Sequence, residues 1–208
     1  MKDLPKSNPY WHGHTDGSLW MCGLADDTSP VVVFWIPPGG APAAEIDPGA
    51  LAKHALAVMP LRTAYVQIAP ANPDPTYVGV QNWLWLPKPQ WATLRKTVSV
   101  GGTSVSVTAR PTKVLWDMGP QVRTCEGPGR AWHDGMSDAA QTTCSYAYSV
   151  TSDGQPGRMF HVTARIGYQV DWTCRGRCAR REGTLGVIEA PAGSGRLRVL
   201  QRQTVLVQ

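Results

Sequence analysis

From Arg95 onward the chain alternates apolar and polar side chains with a period of two. Val98 and Val100, then Val105, Val107 and Ala109, are separated by Ser and Thr. This spacing predicts strands with one face buried, and Gly101-Gly102 between them predicts a hairpin turn. Further strand patterns fall at residues 113–118, 145–151, 158–166, 168–172, 184–189 and 196–207. Seven or eight short strands separated by turn residues predict a β-sandwich. The first ninety residues read differently. Residues 18–22 and 30–36 predict a strand pair, and residues 64–68 and 77–86 two further strands. Between them lies one helix at about residues 48–59. Asp47 suits its N-cap, Pro48 its first turn and Pro60 its stop, with Leu51, Ala55, Leu56 and Met59 on one face. Pro87 and Pro89 then interrupt the pattern. The expected architecture is mainly β: a small α+β unit with one helix over residues 1–90, followed by an immunoglobulin-like sandwich over residues 91–208.

Composition supports a β-rich chain. Its 208 residues include 21 Gly and 18 Pro, which favour many turns over long helices. Nine Trp against two Phe is an unusual balance, and any buried indole is expected to need an acceptor for its N–H. The net charge of +5 comes entirely from residues 110–208, where twelve of the thirteen basic residues are Arg. A guanidinium presents a flat fork of donors to phosphate or carboxylate, so an acidic partner is one reading. A plain coding preference for Arg over Lys is the other.

The five cysteines are Cys22, Cys125, Cys144, Cys174 and Cys178. They lack zinc-finger spacing. Cys125 and Cys144 bracket a Gly/Asp/Ser-rich excursion, as a loop-closing disulfide would. Cys174 and Cys178 enclose Arg175-Gly176-Arg177 and could clip a hairpin tip. Cys22 is left over. Two disulfides point to an oxidising, extracytoplasmic compartment. No apolar run reaches the length of a membrane-spanning helix. The start, Met1-Lys2-Asp3-Leu4-Pro5, carries no signal-peptide pattern, so the expectation is an exported protein numbered without its leader.

Trp116-Asp117-Met118-Gly119, a later Tyr146 or Tyr148, and Pro156-Gly157 ahead of Phe160 and Val162 resemble the hallmarks of a PKD domain across residues 98–172. That family is an immunoglobulin-like sandwich common at cell surfaces. Pro120-Gln121 stands where the family carries Asp-Gly. Taken whole, the chain resembles uncharacterised exported actinobacterial proteins through Asp47-Pro48-Gly49-Ala50-Leu51-Ala52, residues 78–85, Cys125-Glu126-Gly127-Pro128-Gly129 and Gly183-Thr184-Leu185-Gly186. The resemblance implies an exterior part of a secretion- or conjugation-like envelope apparatus. Its partners would be other envelope proteins.

Candidate chemistry is sparse. His12-Gly13-His14-Thr15-Asp16 has imidazoles and a carboxylate but no helix to fix their spacing. His133-Asp134 and His161 are not aligned by any pattern, and the G-x-S-x-G elbow of many hydrolases is absent. A metal-dependent hydrolase is therefore the weakest reading, and no enzyme activity, metal or cofactor is expected. Arg175, Arg177, Arg180 and Arg181, held by the Cys174–Cys178 clip, form a candidate contact for an anionic cell-wall polymer, or a merely solvated tip. Trp83 and Trp85 share one face of a strand. They are read as packing between the N-terminal unit and the sandwich; exposed, they would form a platform for a sugar or a protein. Asp117 is read as a turn cap rather than an acid catalyst. Nucleic acid is not expected as a partner.

Overall fold

The computed structural model describes residues 5–11, 13–22, 32–39, 47–70, 73–137 and 139–202. The chain divides into two compact units, residues 1–46 and 47–208. The boundary expected near Trp91 therefore falls inside the second unit. The reason is packing: Ala52, Ala55 and Met59 on the helix side, and Leu84 and Leu86 in and just after the strand that follows, belong to one hydrophobic core with the later strands.

The first unit contains a one-turn 3-10 helix, Pro9–Trp11, and an antiparallel hairpin of β1 (Ser18–Cys22) and β2 (Val32–Ile36), with Ser18 opposite Ile36. Within the His-rich segment, His14 is engaged in packing. His14 stacks on Trp35 with ring centroids 3.6 Å apart, and the Trp35 indole donates to the Asp16 carbonyl at 2.7 Å. His12 and the side chain of Cys22 lie outside the described residues.

The second unit opens with α1 (Pro48–Ala57). The Asp47 carboxylate accepts from the amides of Gly49 and Ala50 at 2.9 and 3.2 Å, which satisfies donors that a helix start leaves free. The helix ends two residues before the expected stop, because Met59 precedes a proline and is steered away from helical angles. Its buried face, Ala52 and Ala55, packs on β6 (Leu94–Val100) and β7 (Thr103–Asp117). Before these come β3 (Gln67–Ala69), β4 (Thr76–Tyr77) and β5 (Gln81–Trp85). After them follow β8 (Val122–Cys125), β9 (Ser145–Ala147), β10 (Phe160–Arg175), β11 (Glu182–Glu189), β12 (Gly193–Leu197) and β13 (Val199–Leu200).

The main sheet is antiparallel, in the order β11-β10-β7-β6, with β8 also on β7 and β12 also on β10. A three-stranded sheet, β3-β5-β9, and a short parallel pair, β13-β4, complete a sandwich-like, mainly β unit. Gly101 and Gly102 take φ of 54° and 80° at the β6–β7 turn, as the two-residue hairpin requires.

Two pairs of strands expected as separate are each continuous. Residues 103–117 form one strand because a bulge at Thr112 absorbs Pro111. Gly167 faces Lys113 and Tyr168 faces Pro111, so Thr112 is the extra residue. The bulge flips the buried parity of β7 from Val105, Val107 and Ala109 to Val114 and Trp116. The partner β10 runs straight through with Val162, Ala164, Ile166, Tyr168, Val170 and Trp172 buried. Each fully buried aliphatic here contributes about 1.5–3 kcal/mol. One expectation fails inside this core: Trp116 is fully buried, yet its indole N–H finds no acceptor among the described residues. The large buried ring area offsets that cost.

Candidate functional site

Strand β5 settles which way the two tryptophans face. Asn82 and Leu84 are fully buried, so by strand alternation Trp83 and Trp85 point to the opposite face, where both are half-buried. The indoles are thus not core packing, which corrects the sequence reading. The core side of this strand belongs to Leu84. Their cross-strand neighbours are slender: Trp83 lies opposite Ala69 on β3 and Ser145 on β9, and Trp85 opposite Gln67. The small Ala69 and Ser145 on either side of Trp83 leave a trough beside the rings.

A disulfide-closed loop forms its wall. Cys125 and Cys144 are bonded, with Cα atoms 5.5 Å apart. Both ends of the loop are pinned to β5 or the residue just after it: the Leu86 amide donates to the Pro128 carbonyl at 2.7 Å and the Leu84 amide to the Cys144 carbonyl at 3.0 Å. Gly129 has φ of 79° and approaches β5 so closely that a Cβ would run into the Leu84 carbonyl. Within the loop, Arg130 donates to the Gln141 carbonyl at 3.0 Å and sets its guanidinium 5.7 Å from the centre of the Trp83 ring. Trp132, 42 % exposed, then faces the same space.

The result is a cleft of about 700 Å³ lined by Trp83, Trp85, Trp132, Gln67, Gln81, Asp74 and Asp134, among others. A second cleft of about 480 Å³ shares Gln67 and Trp85 with it and extends towards Tyr65 and Lys88. This is a concave surface with flat apolar rings and a few amides and carboxylates, the usual make-up of a ligand site. Trp132, Arg130, Gln67 and Gln81 were not singled out from the sequence. Trp132 carried a usable signal, as a large aromatic inside an otherwise Gly/Asp/Ser-rich loop.

The second disulfide joins Cys174 and Cys178 at the tip following β10. The tip is docked onto the β6–β7 turn: Thr103 donates to the Arg177 carbonyl at 2.8 Å, and a Cβ on Gly176 would meet the Gly102 carbonyl. Arg181 donates back to the Gly176 carbonyl at 3.1 Å. Arg175, Arg177, Arg180 and Arg181 are all exposed. Among the described residues the ion pairs are Arg110–Asp171 and Arg158–Asp153, so none of the four meets a carboxylate.

The remaining histidines stay apart in role. His133 sits in the disulfide loop, its Nδ1 3.0 Å from the Asp134 carbonyl, while His161 is exposed on β10 opposite Arg196. Among the described residues no three His, Cys, Asp or Glu side chains gather as a metal site. No described helix is long and apolar enough to cross a membrane. Asp117 caps its turn, accepting from the Gly119 amide at 2.9 Å.

No family model, curated protein or solved structure matches this chain.

Proposed function

We propose that this protein is a non-catalytic, extracytoplasmic binding module of the cell envelope, built on a PKD-like sandwich, that engages its partner through the tryptophan cleft. One observation carries the reading: a disulfide-closed loop, pinned at its ends to β5 and the residue just after it, holds the exposed Trp132 beside the outward-facing Trp83 and Trp85. A solvent-accessible cluster of large aromatics on a rigid support is what a recognition surface needs. The two disulfides favour an oxidising compartment. An exterior place in a secretion- or conjugation-like apparatus agrees with both features.

A second reading has its own support. Four exposed arginines without carboxylate partners on a clipped tip suit an anionic cell-wall polymer. One experiment separates the two: retention of the protein on purified envelope material, compared among wild type, Trp132→Ala and a variant with Arg175, Arg177, Arg180 and Arg181 all changed to Ala. Loss with Trp132→Ala alone supports the cleft. Loss with the arginine variant alone, weakening with salt, supports the polymer reading. Retention unaffected by either variant sinks both.

A further inference from the structure

We infer that the tryptophan cleft takes an uncharged saccharide chain. The inference rests on the binding-module reading and names its ligand class. Its geometric basis is the spacing of the indoles. Trp83 and Trp85 stand two residues apart on one strand face, about 7 Å along the strand, with Ala69 and Ser145 leaving room beside Trp83. Successive units of a sugar chain present flat C–H faces to rings arranged in this way, while Trp132 closes one side.

The polar groups match the same ligand. Hydroxyls both donate and accept, and the lining offers both functions: the amides of Gln67 and Gln81 donate and accept, and the carboxylates of Asp74 and Asp134 accept. Charge then selects among saccharides. Asp74 and Asp134 line the larger cleft and Lys88 and Arg130 the smaller one, so the trough as a whole carries no net charge to attract an anionic chain. A peptide that adds as a strand to a sheet edge is disfavoured by another feature, because the rings lie on the face of the central strand β5. Because the two clefts share Gln67 and Trp85, the trough continues past a single sugar unit.

The test is isothermal titration calorimetry of the intact, oxidised protein with neutral hexasaccharides of glucose, mannose and N-acetylglucosamine, and with an oligogalacturonate as the anionic control. Binding of a neutral hexasaccharide is expected, unaffected by salt, with the anionic control not bound. Trp132→Ala should weaken it about tenfold, the size of a typical central aromatic contact. Trp132 is exposed, so this variant folds; the quadruple arginine variant should bind as wild type does. Failure of every neutral hexasaccharide overturns the inference. If Trp132-dependent retention on envelope material persists and is removed by protease, the ligand is a protein and the binding-module reading survives. If that retention is also missing, both readings fall together.

Discussion

The Tyr148 hydroxyl donates to the Met118 carbonyl at 3.0 Å, tying the chain just after β9 to the turn that ends β7. Tyr148 is buried and stacks on Phe160, with ring centroids 4.8 Å apart. Tyr168 is equally buried, but its hydroxyl has no partner among the described residues. The same substitution should therefore act in opposite senses at the two sites. Tyr148→Phe strands a buried carbonyl and is expected to cost about 1–3 kcal/mol. Tyr168→Phe removes an unpaired buried hydroxyl and is expected to be neutral or stabilising by about 1 kcal/mol. Urea denaturation of both variants checks this, and equal losses would refute it.

Burial, with Tyr146 and Asp117 nearby, holds the Tyr148 hydroxyl well above the ordinary tyrosine range. The folded state therefore keeps this proton where the unfolded chain has released it. Its contribution to stability is complete below about pH 10 and declines as pH rises further, by up to about 1.4 kcal/mol per pH unit. Denaturation curves taken from pH 8 upward should show the decline, and it should be shallower in Tyr148→Phe.

The two disulfides should differ in weight. In the chain-entropy relation, the bridge spanning 19 residues contributes about 3 kcal/mol, and the one spanning four about 2 kcal/mol. Paired Cys→Ser variants compared in chemical denaturation test the order. Loss of Cys125–Cys144 should also weaken cleft binding, because Trp132 and Arg130 ride on that loop. Loss of Cys174–Cys178 should leave cleft binding intact.

Gly129→Ala should be damaging out of proportion to its size. The residue has φ of 79°, and the added methyl meets the Leu84 carbonyl. A loss above about 1 kcal/mol is expected, together with weaker cleft binding as the loop lifts from β5. Gly154→Ala meets no neighbouring atom and should stay within about 0.5 kcal/mol of wild type.

Buried Ser152 joins two segments. Its hydroxyl donates to the Arg158 carbonyl at 2.6 Å and accepts from the Val199 amide at 3.0 Å. Ser152→Ala leaves both groups short of a partner and should cost about 1–3 kcal/mol. Faster amide exchange at Val199, measured by NMR, would locate the damage there. Unchanged exchange would refute this assignment.

Features carried by neighbouring residues were legible from the sequence alone. The Asp47 cap, the Gly101-Gly102 turn, the alternation of Val105, Val107 and Ala109, and the Asp117 turn cap all rest on local geometry. The disulfide partners were legible too, since each pair closes a short excursion. Long-range matters were not. Pro111 looked like a strand end, and only pairing with β10 lets a bulge at Thr112 carry the strand past it. The helix looked like part of a separate unit, and only contact with β6 and β7 joins it to the main core.

The candidate site shows the same division. Alternation along β5 determines that Trp83 and Trp85 share a face. It does not determine which face the core takes, because a strand between two aromatics and a strand around one leucine have the same period. That choice was made when Leu84 and Asn82 were buried, and the loop from Cys125 to Cys144 then set Trp132 beside the two half-buried, outward-facing rings. Sequence determined the parts through local sterics and hydrogen bonding, and tertiary packing decided which of them meet.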